Sequence, residues 1–443
     1  MGKQGAARET FNSKRGFILA CIGSAVGMGN IWLFPTRISA YGGATFLIPY
    51  LIFVLLIAST GVIGEMAFGR ATKSGPIGAF AQATKARFGT ELPGKILGLL
   101  PVLSSLCMAI GYSIVVGWIF TYAFESFAGT TLALPSVDAF AGHFGGIAAD
   151  NSVFQTISMV AAVIIMALGV VKGIERLNFF LMPLFFLMFI GLAVYTATLP
   201  GAAEGYRYVF LLDPAGLADP MVWVYALGQA FFSLSIAGNG TLIYGSYLSP
   251  HEDVPQSAKY VALFDTLAAV VASLVIIPAM ASAGQTLDTG GPGLMFIFLP
   301  HLFANMPGGA VFQAVFFCAV LIGGFTSLVN LFEAPIATLQ ERFALTRRTA
   351  VLSIGGLGLV AGLLIQAIVA DWMDVLSVFF CPLGALIAAV MFYWLFTRER
   401  VEHEVNLGRR KPLGAWFYPL AKYVFCPIVL VVLVVGAVMG GIG

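Results

Sequence analysis

The chain has 443 residues, 59% of them hydrophobic and only 10% charged, with a mean hydropathy of +0.94 and a formal net charge of +2. Soluble domains carry about 25% charged residues, so a water-soluble enzyme or a nucleic-acid-binding protein is excluded. Repeated apolar runs of about 20 residues instead predict an all-α polytopic protein embedded in a lipid bilayer.

Residues 1–15 read as a polar tail carrying Lys3, Arg8, Lys14 and Arg15. No cleavable signal is expected, because this tail leads straight into a full-length span. Eleven spans are predicted, near 16–38, 43–69, 94–125, 152–170, 175–198, 220–246, 258–283, 309–340, 349–367, 373–397 and 416–438. A further stretch, 292–305, is amphipathic, too short to cross, and predicted to cap an outer loop. Lys and Arg crowd one side: the N-terminal tail, then Arg70, Lys73, Lys85, Arg87, Lys95, Lys172, Arg176 and Lys259, then Arg342, Arg347, Arg348, Arg398, Arg400, Arg409, Arg410 and Lys411. The other side holds Arg37 and Arg207. This bias places the N-terminus in the cytoplasm of a cell inner membrane, and eleven spans then put the C-terminus outside. Cys21, Cys107, Cys318, Cys381 and Cys426 all fall in apolar segments, so neither a disulfide framework nor a metal-ligand spacing is read.

Two spans are interrupted. Residues 23–35, GSAVGMGNIWLFP, place Gly23, Gly27 and Gly29 beside Ser24 and Asn30. Each glycine costs a helix roughly 1 kcal/mol relative to alanine, so the cluster predicts a helix broken in mid-membrane. Such a break is tolerated where it lines a cavity, and its amides can bind a carboxylate and its carbonyls a small cation. The Gly23/Gly27 spacing also suits close helix packing. Span six carries SLSIAGNG at 233–240, a second interruption five spans later. Paired interruptions in oppositely oriented halves point to an inverted-repeat transporter with a midplane site. The halves are taken as 16–198 (spans one to five) and 199–397 (spans six to ten), followed by a loop and span eleven at 398–443.

GSAVGMGNIWLFP followed by YGGATFLIPY at 41–50 resembles the neurotransmitter:sodium symporter family, whose bacterial members include a leucine transporter. The likeness continues through EMAFGR at 65–70, KGIER at 172–176, GQAFFSLS at 228–235, YGSYL at 244–248 and GGFTS at 323–327. The resemblance implies a leucine-transporter fold and sodium-coupled import of a neutral, hydrophobic amino acid by alternating access, with two sodium ions. Under it the first sodium meets Ala25, Asn30, Ser233 and Asp265. The second meets the carbonyls of Gly23, Val26 and Gly323 with the hydroxyls of Thr326 and Ser327. Oxygen-only sets suit a hard cation, although a Thr-Ser pair in a span also serves as helix–helix glue.

Asp265 stands where many relatives carry Asn, and a carboxylate inside an apolar span defaults to a functional role. Its charge makes chloride unnecessary. Animal relatives need that anion, and several bacterial ones carry an acid where this chain has Ala269. The substrate pocket is implied at Ser24, Ala25, Gly27, Met28, Gly29, Met108, Tyr112, Phe232, Ser233, Ser235, Gly238, Ser327 and Leu331. Gly27 leaves room for a substrate carboxylate beside Tyr112, and the absence of charge in this set implies an uncharged side chain. An outer gate is implied at Asp374 and Phe232; Leu33 replaces the family's arginine, and Arg37, one turn on, is within reach of Asp374. The inner gate is Arg8 with Glu341, capped by Tyr247. Gly173 and Pro183 enclose nine residues that can unwind toward the second sodium. Alternatives are a proton-coupled amino-acid transporter or an amino-acid sensor that does not transport. His143, His251, His301 and His403 fall in or near loops, no nucleophile–base set is visible, and the protein is not read as an enzyme.

Overall fold

In hydrocarbon, backbone amides and carbonyls must find partners within their own segment, which leaves helices as the way across for a chain this apolar. The computed structural model describes residues 9–236, 239–284 and 293–441, and it is helical without strands among them. Eight helices are long and apolar enough to span: Ala44–Thr72, Leu92–Ala128, Val170–Thr196, Val254–Ser282, Gly309–Phe343, Arg347–Leu364, Gln366–Leu395 and Phe417–Met439. Two bent pairs raise the number to ten: Lys14–Ala25 with Gly29–Tyr41 at 55°, and Val137–Ala149 with Ser152–Ala167 at 58°. Helix Val137–Ala149, capped by the Ser136 hydroxyl, was not foreseen. The sequence's span six corresponds to Pro220–Ser233 and Gly240–Ser246, on either side of an irregular stretch.

Span one starts on Ser13, whose hydroxyl accepts from Gly16 N at 3.0 Å. It stops at Val26, whose backbone is extended (φ −72°, ψ 105°). It resumes as a π-helical turn, Gly29–Leu33, before Phe34–Tyr41. In span six, Ser235 and Asn239 both take positive φ, 55° and 53°. A non-glycine residue pays about 1–2 kcal/mol for this conformation, and it persists where the surroundings impose it. Here the Ser235 hydroxyl donates to the Ser24 carbonyl at 3.0 Å, tying the two broken spans together.

The broken spans are enclosed by the long helices Leu99–Ala128 and Gly309–Phe343, which pack against each other. Gly240–Ser246 lies directly on span two: a side chain at Gly69 would strike the Leu242 carbonyl, and one at Gly245 the Met66 backbone. Arg70, at the end of span two, donates to the Glu252 and Glu404 carbonyls and fixes two basic-side loops to that span. At the opposite end the short helix Leu294–Ala304 lies where the sequence placed a cap. Its Phe296 ring sits 5.9 Å from Trp118, 5.2 Å from Tyr122 and 6.2 Å from Trp32, and its carbonyl accepts from Tyr122 Oη at 2.6 Å.

Candidate functional site

Between the breaks lies a cavity of about 80 Å³. Of the sequence-predicted pocket residues, Ser24, Ala25, Gly27, Met28, Gly29, Met108, Tyr112, Phe232, Ser233, Ser235, Ser327 and Leu331 line it. Gly238 lies outside the described residues. Gly240, Asn330 and Cys381 also line it and were missed. Cys381, within 3.3 Å of Ser104 Oγ, and Asn330 belong to no motif. All the lining residues are uncharged. Met28 N donates to Tyr112 Oη at 3.3 Å, so the break and span three meet at the cavity. A Cβ on Gly27 would sit 2.8 Å from Ser327 Oγ and 2.9 Å from Tyr112 Oη, so glycine keeps this corner open.

On one flank of the cavity Asn30, Ser233 and Asp265 are fully buried and joined directly. Asn30 Nδ2 donates to Asp265 Oδ1 at 2.7 Å and lies 3.1 Å from Ser233 Oγ; the Ser233 hydroxyl donates to Asp265 Oδ2 at 2.7 Å. Asn30 Oδ1 accepts from Gly27 N at 3.1 Å, which couples the cluster to the break. Ala25, the fourth residue implied here, lines the cavity instead of joining these bonds. Tyr50 and Gln229, both completely buried, were also missed: Tyr50 Oη and Gln229 Oε1 have no hydrogen-bond partner, and Gln229 Nε2 donates to the Gly29 carbonyl at 2.9 Å. A carboxylate, a hydroxyl and an amide oxygen suit sodium, which needs hard oxygen ligands.

On the other flank Ser327 Oγ lies 3.2 Å from the Gly23 carbonyl, 3.4 Å from that of Ser24 and 3.2 Å from that of Val26. The extended Val26 turns its carbonyl off the helix axis. Thr326 Oγ1 donates to the Ile322 and Gly323 carbonyls at 3.0 and 3.1 Å. A Cβ on Gly323 would be 3.5 Å from the Val26 carbonyl, so all five predicted positions converge. This is an uncharged oxygen cluster of carbonyls and hydroxyls, and it too fits sodium.

Away from the basic side, Met28, Met108, Tyr112 and Phe232 also line a second cavity of about 370 Å³, bounded by Trp32, Leu33, Met373 and Asp374. The structure is therefore open on the side away from the basic loops. Here it departs from the expected gate: Arg37 makes no ion pair with Asp374. Its guanidinium lies over the Tyr225 ring, 4.2 Å from the centroid, while Asp374 is exposed in the open cavity. The negative face of the Tyr225 ring supplies an electron-rich partner for the guanidinium.

The basic side is closed. Phe11 packs edge-on against Phe17, Tyr244 and Tyr247. Tyr247 Oη donates to Glu333 Oε1 at 2.6 Å, and Arg347 holds both Glu333 oxygens at 2.9 and 2.8 Å, which gives this buried acid its partner. Glu341 accepts from Ser74 Oγ at 2.8 Å and Gly75 N at 2.9 Å; Arg8 lies outside the described residues. Glu65 accepts from the Thr241 hydroxyl at the start of the second half of span six.

A model of the Sodium:neurotransmitter symporter family matches residues 8–138 and 144–440. An uncharacterized sodium-dependent transporter of Haemophilus influenzae is 30% identical over 378 residues, 83% of this chain and 82% of its own. Another, YhdH of Bacillus subtilis, is 29% identical over 95% of this chain and 96% of its own. Among solved structures, MhsT in complex with L-phenylalanine superposes with a TM-score of 0.85 at 33% identity, over 97% of this chain and 100% of that one.

Proposed function

The chain belongs to the sodium:neurotransmitter symporter family, and from that footing we propose that it imports a neutral, hydrophobic amino acid together with two sodium ions and without chloride. It is a sodium-dependent membrane transporter of the leucine-transporter fold, not an enzyme. The observation that carries the finer reading is one uncharged cavity flanked by two oxygen clusters at the breaks of spans one and six. The substrate carboxylate meets Tyr112 and the amides around Gly27. Its amino group meets the carbonyls of Ala25 and Phe232 and the hydroxyls of Ser235 and Ser327. The phenylalanine bound to MhsT supports a side chain of that kind.

Sodium at the first cluster inserts between Asp265 and Ser233, displacing the Asn30 amide nitrogen. The Asp265 charge balances it in place of chloride. Sodium at the second cluster bridges span one to span eight. Ions and substrate favour the outward-facing state until Phe232 closes and Arg37 reaches Asp374. The inner contacts, Arg8 and Glu341 included, then part, with two five-span repeats, 16–198 and 199–397, moving around the site. The basic end is cytoplasmic, the membrane is the inner membrane, and the C-terminus lies outside after eleven spans. One charge crossing 100 mV yields about 2.3 kcal/mol. Two sodium ions therefore supply about 4.6 kcal/mol, enough for roughly a thousandfold accumulation.

Uptake of labelled hydrophobic amino acids into proteoliposomes, under imposed sodium or proton gradients, tests this reading. Uptake driven by sodium alone supports it. Uptake driven by protons alone would make Asp265 a proton carrier, and binding without uptake would make the protein a sensor.

A further inference from the structure

Asn178 is a single amide in the apolar run RLNFFLMP of span five, and it is 1% exposed. Its Nδ2 donates to the Ile174 carbonyl at 2.8 Å, which fixes the orientation of the amide. Oδ1 therefore points the other way, and it is buried without a hydrogen-bond partner. It lies against Gly23, where any side chain would collide with it. The Cβ of such a side chain would also come within 3.2 Å of Thr326 Cβ. An acceptor left unpaired in a membrane interior is unfavourable, and leucine would fill the same space without that cost. The oxygen is thus turned toward Gly23, a residue of the second oxygen cluster that itself borders Thr326, while satisfying nothing in the protein.

We propose that Asn178 Oδ1 is a further oxygen ligand of the second sodium ion, supplied from span five. The inference rests on the reading that sodium binds between spans one and eight. It gives the ion a direct link to a deformable element. Ile174 lies in the π-helical turn Val170–Glu175, which follows Gly169 at φ 96°. The N-terminal segment holds both ends of that turn. Glu9 accepts from Val170 N, and Glu175 accepts from Asn12 N at 2.8 Å, Ser13 N at 3.1 Å and Ser13 Oγ at 2.8 Å. While sodium is bound, Asn178 is held from both sides, by the ion and by Ile174, and the turn is stabilised. When the N-terminal segment leaves, the turn loosens, the Ile174 carbonyl moves, and the ion loses one ligand on its way to the basic side.

The test uses the purified full chain, with binding of radioactive sodium and hydrogen exchange over residues 168–178 as readouts. Asn178→Leu is expected to weaken sodium binding about fivefold to tenfold, the loss of one hydrogen-bond-strength ligand. It should also abolish the sodium-induced slowing of exchange in that segment. Asn178→Asp, at mildly alkaline pH, is expected to bind sodium more tightly and release it more slowly. Should the leucine variant fail to fold, the aspartate variant decides alone. Unchanged sodium affinity in Asn178→Asp, with or without the leucine variant, overturns the proposal. Thr326→Val with Ser327→Ala serves as the reference. If that pair weakens sodium binding while Asn178→Leu and Asn178→Asp leave it unchanged, only the role of Asn178 falls. If that pair leaves sodium binding intact, the ion does not sit there and the underlying reading falls.

Discussion

Around Asp265 the polar side chains already satisfy one another: Asn30 and Ser233 donate to the carboxylate at 2.7 Å each. Around Ser327 three carbonyls of a broken helix face one hydroxyl, and no charge is present. An ion entering the first cluster must displace hydrogen bonds and is repaid by a full negative charge. An ion entering the second finds oxygens already aimed by the backbone, which cannot relax without rebuilding the helix. The first cluster is thus suited to selecting and holding sodium with the substrate, and the second to losing it when the neighbouring helices shift. With an ion in each cluster, as proposed above, binding strength and release would rest on different chemistry on the two sides of one cavity.

The largest effect should come from the charged side. Asp265→Asn removes a buried charge, worth about 3–5 kcal/mol when its partner remains, so sodium affinity should fall more than about a hundredfold or uptake should become chloride-dependent. Uptake by the unmodified protein should be unchanged when gluconate replaces chloride; a strong chloride requirement would dissolve the contrast between the clusters. Gly27 joins the two, giving its amide to Asn30 and its open side to Ser327. Gly27→Ala should cost about 1–3 kcal/mol of overpacking, a loss of roughly fivefold to 150-fold in substrate affinity in equilibrium binding. Thr326→Val takes one hydroxyl from the neutral side and should weaken sodium about fivefold, the value of one ordinary hydrogen bond; a loss as large as that of Asp265→Asn would mean that charge is not what separates the sites. The smallest effect belongs to Arg37. Its contact with Tyr225 and its closing pair with Asp374 are each worth about 1 kcal/mol or less. A double-mutant cycle of Arg37→Ala and Asp374→Ala on uptake rate should show coupling, with the double variant no worse than the worse single one. Additive losses would leave Arg37 with Tyr225 alone.

The breaks in spans one and six were legible because glycine, serine and asparagine are conspicuous in an apolar run. The residues around them were implied by the family resemblance, Met108, Tyr112 and Leu331 among them although no quoted motif contains these three. What escaped was supplied by segments without such a pattern. Asn330 and Cys381 reach the cavity from otherwise ordinary helices, whereas Tyr50 and Gln229 stood inside the quoted runs YGGATFLIPY and GQAFFSLS and were passed over because nothing in those runs marks which polar group turns inward. Glu333 is an acid within an apolar span whose partner, Arg347, lies beyond a turn between helices, so no local spacing links the two. The displaced arginine at position 37 was visible too; its choice of an aromatic face depends on the state of the outer cavity. Asn178 did leave a signal, a lone amide in RLNFFLMP, which membrane energetics alone marks for attention.

The N-terminal segment grips the first turn of span five through the carboxylates of Glu9 and Glu175. Force or bulk applied upstream of Glu9 is therefore delivered to that turn as well as to the Phe11 contacts with Tyr244 and Tyr247. An affinity tag, a fused domain or a binding partner placed there acts on transport kinetics as a substitution inside the membrane would. Two preparations that differ only in the end carrying the tag should differ in leak and turnover while folding alike.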